Sequence, residues 1–451
     1  MRFVQTIKNI WTIEELRNRL VLTFLLVVVY RLGCYIVLPG VDPQLLKAMH
    51  SAAENQANGL MQLLDMFSGG AFSQASIFAL GIMPYITASI VIQLLGMVLP
   101  SFQKMQREGE SGRQKLNQYT RYLTVLILLV QGPAYLFNLQ HQFRAAHIDF
   151  ELGWFLAIML TVILAAGSMF IMWLGERITD RGIGNGISFI ILVGIIARLP
   201  EALFYEFIAR TPGSAETQGG LIMFIVELIL LFAVTAGAVL LVQGTRKVPV
   251  QYAKRIVGNR QYGGARQYIP LKVNAAGVMP IIFAQAIMFI PLTLAGYSTS
   301  DSGRGFFAAF TDINGFWYNF VYFIMIVAFT YFYTAITVRP TQMAEDMKRN
   351  NGFIPGVKPG KATAHYLDAI MSRITLPGSL FLGIVAIMPA FARILGISNN
   401  FAQFFGGTSL LIMVGVVLDT LQQIESHLMM HHYDGLMKDG KIKGRTTGSA
   451  Y

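Results

Sequence analysis

Charge is scarce in this chain. Of 451 residues only 13% are Asp, Glu, Lys or Arg, while 54% are hydrophobic; a soluble domain carries about 25% charged residues. That shortage excludes water as the main solvent of the surface and points to a lipid bilayer. Cysteine is nearly absent too: the single Cys34, inside an apolar run, excludes an intrachain disulfide. All seven histidines fall outside the apolar runs, and only His427 and His431 stand at helical spacing. Two ligands without a third do not make a zinc site, so no metal and no other cofactor is expected. No G-x-x-x-x-G-K-[ST] phosphate loop occurs, so any nucleotide-driven work belongs to a partner. Well within the apolar runs the only charged residues are Arg31 and Glu227, with Asp419 near the inner end of the last. Proton- or sodium-coupled carriers need groups of this kind at membrane depth, and a chain of them is missing. Arg31 and Glu227 read as locally paired or as reaching the interface.

Long apolar runs supply what the charges do not. Ten are long enough to cross a bilayer: Leu20–Leu38, Ser76–Val98, Tyr122–Leu139, Gly153–Leu174, Ile183–Leu199, Gly220–Val242, Val273–Gly296, Phe316–Val338, Ile374–Ile394 and Phe405–Leu421. Residues 1–19 form an amphipathic stretch with Phe3, Ile7, Ile10 and Trp11 on one side, which reads as an interfacial helix rather than a removable leader. With the N-terminus inside, 28 of the 35 Lys and Arg residues fall in inside segments and 6 in outside ones, Arg31 lying in a span. That bias predicts ten helices with both termini inside, the tail being 422–451. It also accounts for most of the net charge of +11.

Two inside loops are longer and more basic than orientation requires. Residues 243–272 contain β-prone residues around Gly258-Asn259, a hairpin signature. Residues 339–373 contain a helical piece followed by a Pro/Gly-rich turn. Both suit the docking of a large, partly anionic partner. Glycines recur through the spans (Gly81, Gly184, Gly186, Gly194, Gly277, Gly383, Gly406, Gly407, Gly415), where small residues let helices approach closely. Pro84 and Pro280 are expected to bend the second and seventh spans. Ile82/Ile86 and Ile187/Ile191 each share a helix face, which lipid- or core-facing packing ordinarily explains and which a water-tight collar would also need. Before the second span, Leu60–Phe72 is too short to cross hydrocarbon and ends beside Gly69-Gly70.

Several long motifs carry a family resemblance: "FSGGAFSQASIFALGIMPYITASIVIQLL" (67–95), "GERITDRGIGNGISFII" (175–191), "VPVQYAKR" (248–255), "IPLKVNAAGVMPIIFA" (269–284), "FIPGVKPG" (353–360) and "FGGTSLLIMVGVVLDT" (405–420). In this order, and over nearly the whole chain, the sequence resembles the SecY/Sec-alpha family, the pore subunits of Sec protein-conducting channels, in its bacterial form. The resemblance implies an all-α multi-pass membrane protein of ten transmembrane helices. They would form two inverted five-helix halves, 20–199 and 220–421, about a central pore, joined by an external hinge at 200–219. The short run becomes a plug helix, 60–73, with Leu64, Phe67, Gly69, Gly70 and Phe72. Ile82, Ile86, Ile187, Ile191, Ile282 and Ile412 match the pore ring, and Thr87, Gln131 and Asn274 the polar cluster of a lateral gate.

By the same resemblance, Lys254, Arg255, Arg260 and Lys358 would dock the ribosome or the motor ATPase SecA. The family pattern PG-x-R-PG here reads "PGVKPG", so Lys358 keeps the charge but loses the bidentate fork. The implied function is a passive gated conduit in the bacterial cytoplasmic membrane, not an enzyme. Its partners would be SecE and SecG small subunits, signal sequences, nascent polypeptides and membrane lipids. Two rival readings remain at this point. One is a secondary transporter with inverted repeats, which needs midplane acids. The other is a membrane scaffold that binds nucleic acid through the basic loops.

Overall fold

The computed structural model describes residues 11, 13–41, 65, 68–145, 153–211, 220–252, 255–257, 260–262, 266–285, 287–288 and 315–438. Helices dominate because hydrocarbon offers backbone groups no partners, so each spanning segment must satisfy its own. In chain order they are α1 Glu14–Cys34, α2 Met83–Val98, α3 Pro100–Arg107, α4 Glu110–Ala145, α5 Trp154–Arg181, α6 Gly186–Ala209 and α7 Gly220–Gln243. They continue as α8 Phe316–Thr337, α9 Pro340–Arg349, α10 Lys361–Ile394, α11 Asn399–Ala402 and α12 Gly407–Lys438. The strands are β1 Thr245–Tyr252, β2 Arg255–Val257, β3 Arg260–Tyr262, β4 Arg266–Lys272 and β5 Gly352–Phe353.

Among the described residues seven helices are long and apolar enough to cross a membrane, and a bent pair supplies an eighth. That pair, Met83–Gly96 and Pro100–Gln106, turns by 103°. The first expected span, Leu20–Leu38, overlaps α1, which carries Arg17, Arg19 and Arg31. Of the seventh, Val273–Gly296, the described residues reach only 288. The fold is thus an all-α multi-pass membrane protein.

Two compact units divide the chain: Met1–Arg198 with Val416–Tyr451, and Leu199–Gly415. In the first, the end of α1 packs with the segment before α2, with α4 and with α5 through Leu38, Ala75, Leu136, Phe143, Leu160 and Leu164. In the second, β1 pairs antiparallel with β4 from Thr245↔Lys272 to Gln251↔Arg266. On its other edge β1 pairs with β5 at Gln251↔Phe353 and Tyr252↔Gly352. Strands β2 and β3 pair antiparallel from Arg255↔Tyr262 to Val257↔Arg260, as the expected hairpin requires.

Three expectations need correction. Pro84 and Pro280 do not bend helices; they open them. Pro84 occupies the first turn of α2, and Pro280 is the second residue of the helical stretch 279–285. A missing N–H costs nothing there. In each case a left-handed glycine precedes the proline by three residues, Gly81 (φ +55°) and Gly277 (φ +63°). The first helical bonds correspond as well: Ile86 N–H donates to Ile82 O at 3.1 Å, and Ile282 N–H to Val278 O at 3.4 Å. The same Gly-x-Met-Pro helix start is therefore built once in each unit.

Second, the expected span Ser76–Val98 is helical only from Met83, the residues before it being turns. Third, α6 runs through Pro200 to Ala209, so half of the expected hinge is helix. Arg210 ties down its end: its N–H donates to Glu206 O at 3.1 Å and its Nε to Glu206 Oε1 at 3.0 Å.

Candidate functional site

The expected plug begins in residues outside the described set, Leu64 and Phe67 among them. Of the rest, Asp65 is helical but 68–75 are successive turns rather than a helix. The sequence explains this. Gly69 and Gly70 both adopt positive φ, +65° and +93°. Side chains also replace the helical acceptors: Asp65 Oδ1 takes the Ser73 N–H at 2.8 Å, and Ser68 Oγ takes the Phe72 N–H at 3.0 Å.

Neighbouring helices grip this run of turns. Arg31 of α1 donates from Nη1 to Gly69 O at 2.9 Å, and Tyr30 donates to Ser68 O at 3.3 Å. Tyr135 of α4 donates to Phe72 O at 2.9 Å and meets the Phe72 ring edge-on. Arg198 of α6 donates from Nη2 to Asp65 Oδ2, as an ion pair, and to Ser73 Oγ at 3.0 Å. A Cβ on Gly69 would lie 2.9 Å from Gly194 Cα, so only glycine lets the segment lie this close to α6. Arg31 therefore has a partner inside the protein, as the sequence suggested it might be paired locally.

The six isoleucines divide between the units. In the first, Ile82 is the residue before α2 and is buried, with Ile86 one turn on. Ile191 of α6 is buried, and Ile187 packs against Gly175 of α5, whose Cβ would stand 3.0 Å from Ile187 Cγ1. In the second unit Ile282 repeats the position of Ile86, two residues after its proline, and Ile412 of α12 is buried.

Two of the three gate residues are held by bonds within their own segments. Thr87 donates to Met83 O at 3.0 Å. Asn274 Nδ2 donates to Gly277 O at 3.1 Å, bracing the turn before the helix, and its buried Oδ1 has no hydrogen-bond partner. Gln131 is half-buried on α4.

Of the docking residues, Lys254 lies outside the described set, Arg255 and Arg260 stand on β2 and β3, and Lys358 is exposed. Lys358 follows a left-handed Gly356 (φ +86°), and its carbonyl accepts the Thr363 hydroxyl at 2.9 Å. The two basic loops are one body. Val248 and Val250 of β1, Leu271 of β4, Met347 of α9, Ile354, and Leu367 and Met371 of α10 share a single apolar core.

One polar cluster escaped the sequence reading. Glu227 of α7 is buried, and its Oε1 accepts Arg210 Nη2 at 2.7 Å. Arg210 also reaches Glu206 and donates to Gly396 O at 2.7 Å, while Glu206 Oε2 accepts the Ser398 N–H at 3.2 Å. Two carboxylates and one guanidinium thus join α6, α7 and the turn after α10. The available signal was Arg210 itself, an arginine just past the end of an apolar helix.

The family model described as SecY matches residues 76–421. The chain is 43% identical to the protein translocase subunit SecY of Streptomyces galbus, over 94% of this chain and 97% of that protein. It is 40% identical to the same subunit of Thermotoga maritima, over 98% and 99%. It is 39% identical to that of Mycobacterium bovis, over 97% and 99%. The fold resembles a solved structure described as a protein conducting channel, at TM-score 0.59 and 18% identity over 91% of this chain and 92% of that one. A structure described by a plug domain that stabilises the closed state of a SecY channel matches at TM-score 0.56, with 18% identity and the same coverage of 91% and 92%. Ten apolar runs with basic inside loops, a glycine-broken segment gripped ahead of α2 and a Gly-x-Met-Pro helix start in both units thus have one common explanation: the chain belongs to the SecY family of protein translocase subunits.

Proposed function

We propose that the chain is the channel-forming subunit of a protein translocase, a passive gated conduit for polypeptides crossing the membrane and for apolar segments leaving sideways into lipid. The observation that carries this reading is the gripped segment Asp65–Ser73, a stretch too short to span and fastened by three helices of its own unit. A core helix needs no such polar fastening, whereas a stopper needs bonds strong enough to hold and few enough to break. Ile82, Ile86, Ile187, Ile191, Ile282 and Ile412 are the residues of the conduit's pore ring, and Thr87, Gln131 and Asn274 those of its lateral gate. A signal sequence that offers comparable apolar contact shifts the gate towards its open state.

The β4-β1-β5 sheet, together with Lys254, Arg255, Arg260 and Lys358 of the same two loops, is the docking platform for a ribosome or for SecA. Ribosome docking draws support from a fold neighbour described as Sec61 in a canine ribosome-channel complex, which matches at TM-score 0.55 and 18% identity. SecE and SecG complete the assembly in a bacterial cytoplasmic membrane, with both termini of the chain on the cytoplasmic side.

A secretory chain stalled in translocation tests the reading. Photoreactive residues at positions 86 and 191 should both form adducts with it in the assembled translocase. Adducts at neither position would overturn the conduit.

A further inference from the structure

The stopper segment is held by backbone carbonyls at most of its contacts, and those contacts survive almost any change of side chain within it. One contact differs. Asp65 supplies one carboxylate oxygen to Arg198 Nη2 and the other to the Ser73 N–H, so a single side chain spans the whole turn from its start to its end. Arg198 closes the loop from outside by also donating to Ser73 Oγ at 3.0 Å. Both side chains are largely withdrawn from solvent, 16% exposed for Asp65 and 28% for Arg198. Charge-assisted bonds sheltered in this way are the strong ones. Gly70 sits directly over the guanidinium: its Cβ would stand 3.1 Å from Arg198 Nε.

We propose that Asp65 and Arg198 form a latch that sets how firmly the conduit is closed at rest, as positioning residues for the stopper. The proposal rests on the conduit reading above. Its physical content is that the segment cannot leave α6 without parting this ion pair, and that a passing chain must supply the free energy for that step. Arg31 acts differently. It grips the Gly69 carbonyl and follows the backbone wherever the segment is seated, so it holds the stopper without depending on any of its side chains.

Two readouts on the full translocase in proteoliposomes test the latch. In the first, Phe72, whose ring meets that of Tyr135 edge-on at 4.8 Å, is replaced by a photoreactive phenylalanine analogue. Its rate of photocrosslinking to α4 then reports seating of the segment without any need for transport. Arg198→Gln or Asp65→Asn should slow this crosslink about tenfold. Arg198→Lys, which keeps the charge, should recover much of the rate. In the second, resting ion conductance should rise about tenfold in either single variant, a shift of about 1.4 kcal/mol in the closed state. It should rise no further in the double variant, because one interaction has been lost once. Translocation of an ordinary signal-bearing chain should persist in all three, which a merely misfolded variant would not allow.

A crosslinking rate and a conductance within twofold of the parent in Arg198→Gln would overturn the latch. Additive effects in the double variant would overturn it too. Failure of the conduit reading looks different: the parent translocase itself would pass no chain, while the crosslinking rates would still judge the latch.

Discussion

At the scale of single residues, Arg210 is the most exposed to damage by mutation. It is buried between Glu206 and Glu227 and also satisfies Gly396 O. Removing it leaves two buried carboxylates unpaired, and breaking a buried pair in this manner costs about 3–5 kcal/mol. Arg210→Ala should therefore unfold at markedly lower denaturant in detergent micelles. Glu227→Gln, which leaves one carboxylate for one guanidinium and whose Oε2 has no hydrogen-bond partner to lose, should cost less than about 1 kcal/mol. Equal losses for the two variants would contradict the assignment. None of this was legible beforehand, for a definite reason. A sequence shows that Glu227 sits in an apolar run but not which distant charge comes to it, and Arg210 lies beyond the end of a different helix. Arg31 was easier, since only a partner or the interface can satisfy an arginine at that depth.

At the scale of elements, the apolar runs were plainly readable because lipid forces a helix on any long stretch without charge. Their ends were not. Nothing in the composition of Ser76–Val98 says that its first seven residues are turns; Gly81 and Pro84 say so only once their φ requirement and missing donor are taken together. The two copies of that device make a prediction. Gly277 has open space around a would-be Cβ, so only its left-handed backbone resists substitution. Gly277→Asn should be tolerated, while Gly277→Val should cost about 1–2 kcal/mol and impair translocation. Comparable activity and stability in both variants would show that this turn is not needed in its present form.

The sheet makes a second prediction. Val250 is wholly buried in the core shared by both basic loops. Val250→Ala leaves a cavity there and should raise protease cleavage in 243–272 and 339–373 together, a joint effect that two independent loops would not show. The hairpin was readable from its turn residues, but its union with the second loop rests on a two-residue strand, Gly352–Phe353, too short to announce itself.

For the molecule as a whole, closure at rest is the property to test. If Ile86 and Ile191 belong to a collar, Ile86→Gly with Ile191→Gly should leak ions through an otherwise idle translocase, because the gasket loses its branched methyls. Unchanged conductance would remove both from the seal. Family membership, and with it the fold class, was legible from motifs that span nearly the whole chain, and the assembled conduit is an inference built on them. A different consequence follows from α10. Its first turns bury Leu367 and Met371 in the docking sheet, and it then runs unbroken for 34 residues, about 51 Å at 1.5 Å per residue. Two residues past its far end is Gly396, whose carbonyl Arg210 holds. Whatever presses on that sheet therefore presses on one continuous helix that ends at the Arg210 cluster, with Pro377 and Pro389 as its only joints, so the proposed docking platform and the buried ion-pair cluster share a single rod.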